Sequence, residues 1–248
     1  MQKLLAYPLT LLYQIFFGLT LLVFHPIQWV CYNVFGYHAH KASVSLLNLS
    51  LMRCTHILGT TYTFKNPHHI PIERPLIIVA NHQSMHDIPP IIWNMRDHHP
   101  KFVSKKELGK GIPSVSYNLR KGGSALIDRK NTKQALVEIA KLGKYIEKHN
   151  RCAVIFPEGT RSRTGYTKPF KTMGLKILMK NAPSALIVPI TIDNSWKMLR
   201  YGKFPSGIGN HLTFTVHEPI EVKQNLDEVI AQTEKAIVSA LTSFRTPL

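Results

Sequence analysis

Short apolar runs alternate with amphipathic stretches along most of this chain, a pattern typical of proteins that mix strands and helices. The β-type runs are separated by segments whose apolar residues recur at helical spacing. Such strand–helix alternation predicts an α/β fold with a mostly parallel central sheet flanked by helices. Strands are predicted at residues 61–64, 76–80, 101–104, 124–127, 152–156, 185–192 and 211–216, and helices at 87–95, 132–149, 172–180 and 226–242.

The first 58 residues have a different pattern. Residues 4–40 contain no Asp, Glu, Lys or Arg, and residues 9–24 are almost wholly apolar. Because proline breaks or kinks helices, Pro26 should separate this run from the aromatic-rich stretch 27–37. We therefore predict an N-terminal membrane-associated two-helix segment that lies in the interface, followed by a linking helix at 45–58. A buried core helix and a true membrane span remain alternatives, whereas a cleaved signal peptide lacks a small-residue cleavage site.

Composition adds a strong positive charge to this picture. Among 248 residues, 31 Lys and Arg face 14 Asp and Glu, so the formal net charge is +17. Such a charge favours polyanionic partners, namely nucleic acid, anionic membrane lipids or phosphorylated substrates. No arginine-rich run or known reading motif favours nucleic acid. The three cysteines form no C-x-x-C pair, which argues against a disulfide framework and a cysteine-based zinc site.

A histidine and an aspartate follow the predicted strand 76–80. His82 and Asp87 are five positions apart, which on one continuous helix places side chains about 140° from each other. The two can meet if His82 lies in the turn and Asp87 in the first helical turn. Asp87 would then hold one ring nitrogen while the other accepts a proton. The alternative is that Asp87 only caps a helix and His82 is a buried polar residue.

The same segment raises the possibility of a metal site. His82 and His86 have the i, i+4 spacing of zinc-binding helices, but Gln83 occupies the place of the glutamate in H-E-x-x-H. No third ligand is evident in the sequence. We therefore expect no metal at this position.

Cations follow three other predicted strands. Phe156 to Ser162 reads F-P-E-G-T-R-S, in which a proline and a glycine favour a tight loop and Arg161 offers a planar fork suited to phosphate. Arg129 and Lys105 occupy similar places after strands 124–127 and 101–104. Because parallel strands end at one edge of a sheet, these cations could converge on a phosphate. The alternative is an ordinary solvated basic surface.

Together these segments resemble the glycerolipid acyltransferase superfamily, and most closely its bacterial 1-acyl-sn-glycerol-3-phosphate acyltransferases. Four blocks appear in the family's order within residues 60–220. They are N-H-x-S-x-x-D at 81–87, a block ending in Asp128 and Arg129, F-P-E-G-T-R-S at 156–162, and V-P-I at 188–190. The first and third blocks together are highly specific. Met85 and His86 depart from the most frequent form of the first block, which leaves acceptor and chain-length preference open.

The resemblance implies a role for each matching residue. His82 would be the general base toward the sn-2 hydroxyl of 1-acyl-sn-glycerol 3-phosphate (lysophosphatidic acid), and Asp87 would orient it. The product would be phosphatidic acid. The residues implied in binding the glycerol phosphate are Glu158, Gly159, Thr160 and Arg161, with Arg129 and Lys105 as further phosphate contacts.

The resemblance also implies the donor and the fold. The acyl donor would be a thioester, acyl-CoA or acyl carrier protein, with no bound cofactor and no metal. Residues 1–58 would anchor a catalytic domain at 59–248, which carries a hydrophobic tunnel for the acyl chain. Independently of the resemblance, the net charge favours anionic lipids as partners. The length and the lack of a targeting peptide suggest a bacterial inner membrane, with the active site on the cytoplasmic side, where thioesters are made. Two alternatives stay open: an acyltransferase for another lysolipid or an aminolipid, and a non-enzymatic basic membrane-binding module.

Overall fold

The computed structural model describes residues 1–223 and 225–241. Its first element is a helix of 33 residues, α1 (Gln2–Val34), and a second helix, α2 (Gly36–Cys54), packs against it. A 3-10 turn, Thr55–Leu58, completes the predicted link to the sheet. The N-terminal segment is a pair of helices, as predicted, but α1 contains both stretches expected to form the pair and α2 contains most of the expected linking helix, so the bend lies at Phe35 and Gly36.

The prediction of a break at Pro26 is wrong, because α1 continues through this residue to Val34. A proline inside a helix removes one hydrogen bond and costs about 3 kcal/mol. Contacts on both sides of the proline offset that cost. Ser114 donates its backbone N–H to His25 Nδ1 at 3.0 Å and its hydroxyl to the Leu21 carbonyl at 2.6 Å. Further along, Asn33 donates to the Tyr117 hydroxyl at 3.0 Å.

Eight strands form one sheet in the described part of the chain, in the order β1-β7-β6-β2-β5-β3-β4, with β8 beside β6. The five strands β2 to β6 run parallel, while β7 and β8 are antiparallel to β6. The mostly parallel α/β fold is thus confirmed. The strands are β1 (Thr61–Lys65), β2 (Leu76–Ala80), β3 (Pro100–Lys105), β4 (Ala125–Ile127), β5 (Cys152–Ile155), β6 (Leu186–Asp193), β7 (His211–Val216) and β8 (Ile220–Glu221).

Helices cover both faces of the sheet. One core joins sheet residues to Tyr13 of α1 and Val44 of α2, and the other joins the opposite face to the helices that follow β4, β5 and β8. The division at residue 58 stays a prediction, since the N-terminal helices share a core with the sheet. The remaining helices are α3 (Ile88–Asn94), α4 (Val115–Lys121), α5 (Thr132–His149), α6 (Thr172–Asn181) and α7 (Leu226–Ser239).

Every strand and helix predicted after residue 58 is present, with small shifts at the ends. The predicted end of the last helix, Thr242, lies outside the described residues. Two elements were not predicted, α4 and β8, which contain seven and two residues. Segments this short hold too little periodicity to distinguish them from loops, and their packing against the rest of the fold stabilises them.

Candidate active site

The segments that contain His82, Glu158, Lys105 and Arg129 leave the sheet at the carboxyl edge of its parallel strands. β2, β5, β3 and β4 are consecutive neighbours in space, although they are not consecutive in sequence. With about 4.8 Å between strands, their exits span about 14 Å. His82, Glu158, Lys105 and Arg129 therefore follow four adjacent strands. This edge is where open α/β sheets bind ligands.

His82 and Asp87 are in direct contact. The distance from His82 Nδ1 to Asp87 Oδ2 is 2.7 Å, and the Asp87 side chain is fully buried. A carboxylate only accepts hydrogen bonds, so Nδ1 carries the proton and Nε2 is the basic nitrogen of the neutral ring. The ring of His82 also stacks on Phe156, with 4.1 Å between ring centroids. The side chain is thus held in orientation from two directions.

A capping box brings Asp87 back to His82. Ser84 precedes the 3-10 turn Met85–Asp87, and its hydroxyl accepts from His86 N at 3.0 Å. In return, Asp87 Oδ2 accepts from the backbone N–H of Gln83 at 2.7 Å and of Ser84 at 2.9 Å. This turn between strand and helix is the arrangement under which the five-residue spacing allows contact. Asp87 therefore both caps the turn and holds the histidine.

Glu158 holds the backbone on either side of the catalytic pair. One carboxylate oxygen accepts from His82 N at 2.7 Å and the other from Lys168 N at 2.9 Å. Burial raises its pKa, while these two N–H donors act in the opposite direction. Glu158 is only 2% exposed, and both of its carboxylate oxygens face backbone N–H groups. Ser162 N also donates to His82 O at 2.7 Å, which ties the two loops together.

The turn after Glu158 is exposed. Gly159 has a φ of 68°, a conformation that favours glycine, and its N–H donates to Phe156 O at 3.0 Å. Thr160 is exposed beside it. The turn therefore presents backbone and a small hydroxyl at the edge of the site.

Two arginines follow strands at this edge, Arg129 after β4 and Arg161 in the loop after β5. Burial lowers the pKa of Arg129, and the charge of Arg161 lowers it further. Burial likewise lowers the pKa of Arg161. The negative charge of Asp87 raises this pKa, and the positive charge of Arg163 lowers it. Neither guanidinium forms an ion pair with a carboxylate among residues 1–223 and 225–241. Lys105 is exposed at the end of β3. It pairs in register with Ile127, which precedes Arg129 by two residues.

His86 lies apart from this arrangement. It is buried and faces Tyr13 of α1, with 6.1 Å between ring centroids. Burial lowers its pKa to about 4, so it is neutral at physiological pH. His82 and His86 do not converge on a common point with a third histidine, cysteine or carboxylate in the described chain.

Ser195 is a residue of the site that sequence reasoning missed. It begins the turn after β6, and its hydroxyl donates to Asp87 Oδ1. It lies 108 residues from Asp87, and no local motif marks it. The only signal was its position just beyond the V-P-I strand, at the same edge of the sheet. Asn81 makes a similar connection, exchanging hydrogen bonds of 2.8 and 2.7 Å with the backbone of Ile192.

A cavity of about 460 Å³ opens elsewhere, between the start of α1 and the turn before β1. Leu9, Ile57 and Ile208 contribute apolar side chains to its wall, and Arg200 a charged one. Neither His82 nor Asp87 lines it. The acyl tunnel implied by the resemblance stays a prediction.

Comparison with known proteins identifies relatives of this chain. A family model described as acyltransferase matches residues 61–193. A sheep 1-acyl-sn-glycerol-3-phosphate acyltransferase alpha is 25% identical over 82% of this chain and 69% of its own length. The 1-acyl-sn-glycerol-3-phosphate acyltransferase of Helicobacter pylori is 40% identical over 50% of this chain, which spans about half of that relative (54%). The crystal structure of the acyltransferase PlsC from Thermotoga maritima has the same fold, with a TM-score of 0.72, 21% identity and full coverage of both chains.

Proposed function

The chain belongs to the acyltransferase family, and on this premise we propose that it transfers a fatty acyl group to the sn-2 hydroxyl of 1-acyl-sn-glycerol 3-phosphate, giving phosphatidic acid. The observation that carries the proposal is the buried His82–Asp87 pair at the same edge as Arg129 and Arg161, neither of which forms an ion pair with a carboxylate in the described part of the chain. The names of the sheep and Helicobacter relatives support the same acceptor.

His82 acts as general base in this proposal. Its Nε2 takes the proton of the acceptor hydroxyl while the oxygen attacks the thioester carbonyl. Collapse of the tetrahedral intermediate breaks the carbon–sulfur bond, and the proton passes from the imidazolium to the leaving thiolate. Asp87 stabilises the imidazolium while it exists. The reaction needs no covalent enzyme intermediate.

The cations position the acceptor. Arg161 and Arg129 repel each other in the unliganded protein, and a phosphate between them would relieve that repulsion. Lys105 lies further along the same edge, and Gly159 and Thr160 offer a backbone turn and a hydroxyl. Glu158 contributes by holding the His82 loop, since its oxygens are occupied by backbone N–H groups. The donor, acyl-CoA or acyl carrier protein, brings negative charge that suits a chain of net charge +17.

The test is acyl transfer from a radiolabelled thioester by purified protein in mixed micelles. Lysophosphatidate is offered beside lysophosphatidylcholine, lysophosphatidylethanolamine and glycerol 3-phosphate, with each donor type. Product from lysophosphatidate alone supports the proposal. Transfer to a different acceptor keeps the chemistry and overturns the substrate, and absence of transfer supports a basic membrane-binding module.

Replacing Arg161 by lysine is expected to raise the KM for lysophosphatidate by about tenfold, with a smaller change in kcat. Lysine keeps the charge but loses the planar fork that binds two phosphate oxygens at once. Steady-state kinetics over a range of acceptor concentrations measures the effect. Arg163→Lys is the matched control, since Arg163 is exposed two residues further along. Equal KM values in both variants would count against a phosphate contact at Arg161.

We place the protein on one face of the membrane. α1 is long and apolar enough to cross a bilayer by length and composition, but this alone is weak evidence. It also contacts the rest of the protein from end to end: Thr10 accepts from Ser206 N at 2.9 Å, and Asn33 donates to Tyr117. To cross the bilayer alone, α1 would have to break these contacts with the rest of the protein. Its outer face remains exposed and apolar, which favours a helix lying in one leaflet of the proposed inner membrane, with the active site on the cytoplasmic side.

Replacing Ile15 and Leu19 together by glutamine is expected to lower partition onto anionic vesicles by more than about tenfold. Both side chains are half exposed on α1, and burying two such groups in lipid contributes roughly 2 kcal/mol. Vesicle co-sedimentation measures the partition. Val137→Gln with Met173→Gln is the matched control, with similar exposure on α5 and α6. If both pairs lose the same affinity, α1 is not the membrane contact.

A further inference from the structure

A second group of cations lies at the amino edge of the sheet. Lys101 is near the start of β3, Arg151 immediately precedes β5, and Lys41 is on α2. Three aromatic residues accompany them: Tyr37, His40 and His99. We call these six residues the amino-edge cluster.

The amino-edge cluster is separate from the candidate active site. Lys101 pairs in register with Ala153, which in turn pairs with Ile77 of β2. His82 lies five residues beyond Ile77, so the two sites are roughly 16 Å apart along the strand direction. They also occupy opposite edges of the sheet, one before the parallel strands begin and the other after they end.

Two cations of the amino-edge cluster, Arg151 and Lys101, lie against one tyrosine ring. The Arg151 guanidinium lies 3.8 Å from the Tyr37 ring centroid, and the Lys101 ammonium lies 5.0 Å from it. The Tyr37 hydroxyl is hydrogen-bonded to His99 Nδ1 at 2.9 Å, and the two rings stack. The Tyr37 ring therefore holds Arg151 and Lys101 near each other.

No carboxylate pairs with these cations within the part of the chain that the structure describes. Lys101 is only 6% exposed, and burial together with the Arg151 charge lowers its pKa to about 7. His40 is 1% exposed, and its Nε2 has no hydrogen-bond partner. Asp97 is the acid close enough to act on Lys41, whose pKa it raises against the effect of burial. The buried Lys101 without an acceptor and the unpaired imidazole nitrogen of His40 destabilise the unliganded protein.

A cleft gives access to this group. His40, Lys41, His99 and Lys101 line it, together with Arg96. The cleft has about 20 Å³ of space for a water-sized group such as a phosphate oxygen. It thus fits one phosphate oxygen, with the rest of the head group outside it.

We propose that the amino-edge cluster is a second phosphate-binding site, open to phosphate from a lipid head group or from solution. The charged side chains offer donors without acceptors, which is the chemistry that recognises an oxyanion. A lipid is the favoured source, because Tyr37 follows the bend at Phe35, whose side chain is 70% exposed at the apolar end of α1. A lipid phosphate bound there would hold this end of the protein at the membrane surface.

The test measures melting of the full chain in non-ionic detergent, in an Arg161→Gln background that weakens phosphate binding at the candidate active site. The two probes are inorganic phosphate and dihexanoylphosphatidylglycerol, titrated separately, with dihexanoylphosphatidylcholine as the uncharged lipid. The rise in melting temperature with ligand concentration gives an apparent Kd. The added variants are Lys101→Met, which keeps the apolar stem, and Lys101→Arg, which keeps the charge.

Lys101→Met is expected to raise the apparent Kd by about tenfold or more, since a charge-assisted hydrogen bond is lost, and Lys101→Arg to retain binding. Without ligand, Lys101→Met should melt no lower than its parent, because an unpaired buried charge is removed. Lys41→Gln, which removes another cation that lines the cleft, should show the same loss of binding. Stabilisation by the lipid alone identifies a lipid head-group site, and equal stabilisation by inorganic phosphate identifies a site for phosphate in solution. The proposal is overturned if the parent shows no stabilisation, or if Lys101→Met binds as tightly as its parent.

Discussion

Replacing His82 by alanine is expected to lower kcat by about 10²–10⁴, the usual contribution of a positioned general base. The acceptor hydroxyl would lose the nitrogen that takes its proton, while the cations that bind the phosphate would remain. The KM for lysophosphatidate should therefore change little. Transfer rates from a radiolabelled thioester measure kcat, and vesicle co-sedimentation checks that the membrane contact is intact.

Two controls make this result specific to the base. His82→Gln keeps a polar side chain against Phe156, so a loss of activity equal to that of alanine separates missing chemistry from missing packing. His69→Ala removes an exposed histidine outside the site and should leave kcat unchanged. Retention of more than about a tenth of wild-type activity by both His82 variants would rule out the assigned role.

Replacing Asp87 by asparagine is expected to lower kcat by about 10²–10³ while the protein stays folded. The amide oxygen can occupy the Oδ2 position and accept from His82 Nδ1 and from the two backbone N–H groups. The amide NH₂ then faces the hydroxyls of Ser84 and Ser195, which can rotate to accept it. Only the negative charge opposite the imidazolium is lost.

Asp87→Ala provides the contrast. Alanine leaves the two backbone donors and the histidine N–H buried without an acceptor, at about 1–3 kcal/mol each. We expect this variant to melt well below the asparagine variant and to be at least as inactive. Thermal melting and transfer rates of the two proteins, measured side by side, decide the matter. Full activity in Asp87→Asn would show that the carboxylate charge is not used, and equal melting of both variants would contradict the capping role.

The sequence predicted where the strands lie along the chain better than which strands lie side by side in the sheet. Residues 76–80 and 152–156 are apolar throughout because β2 and β5 are covered on both faces, and such runs are recognisable without a structure. The spatial order β2-β5-β3-β4 could not be read in the same way, since the chain visits these strands in a different order. That order is what places His82, Glu158, Lys105 and Arg129 on adjacent exits.

The wrong prediction of a helix break at Pro26 shows a second limit of prediction from local sequence. The local rule for proline is sound, but its cost of about 3 kcal/mol is small beside the packing of a helix over its whole length. Contacts of Ser114 and Tyr117 with α1 come from residues about 90 positions away, and the sequence of α1 holds no trace of them. The bend instead lies at Gly36, whose φ of 79° favours glycine.

The sequence by itself determined the fold class, the family resemblance and the positions of the blocks, because strand burial and motif spacing are local properties. Only the tertiary structure decided which groups touch. It turned Glu158 inward to hold the His82 loop, added Ser195 to Asp87, and gathered Tyr37, Lys101 and Arg151 at the far edge of the sheet. The physical reason is that hydrogen bonds and charge–charge effects act over a few ångströms in space, between residues that the chain separates by tens of positions.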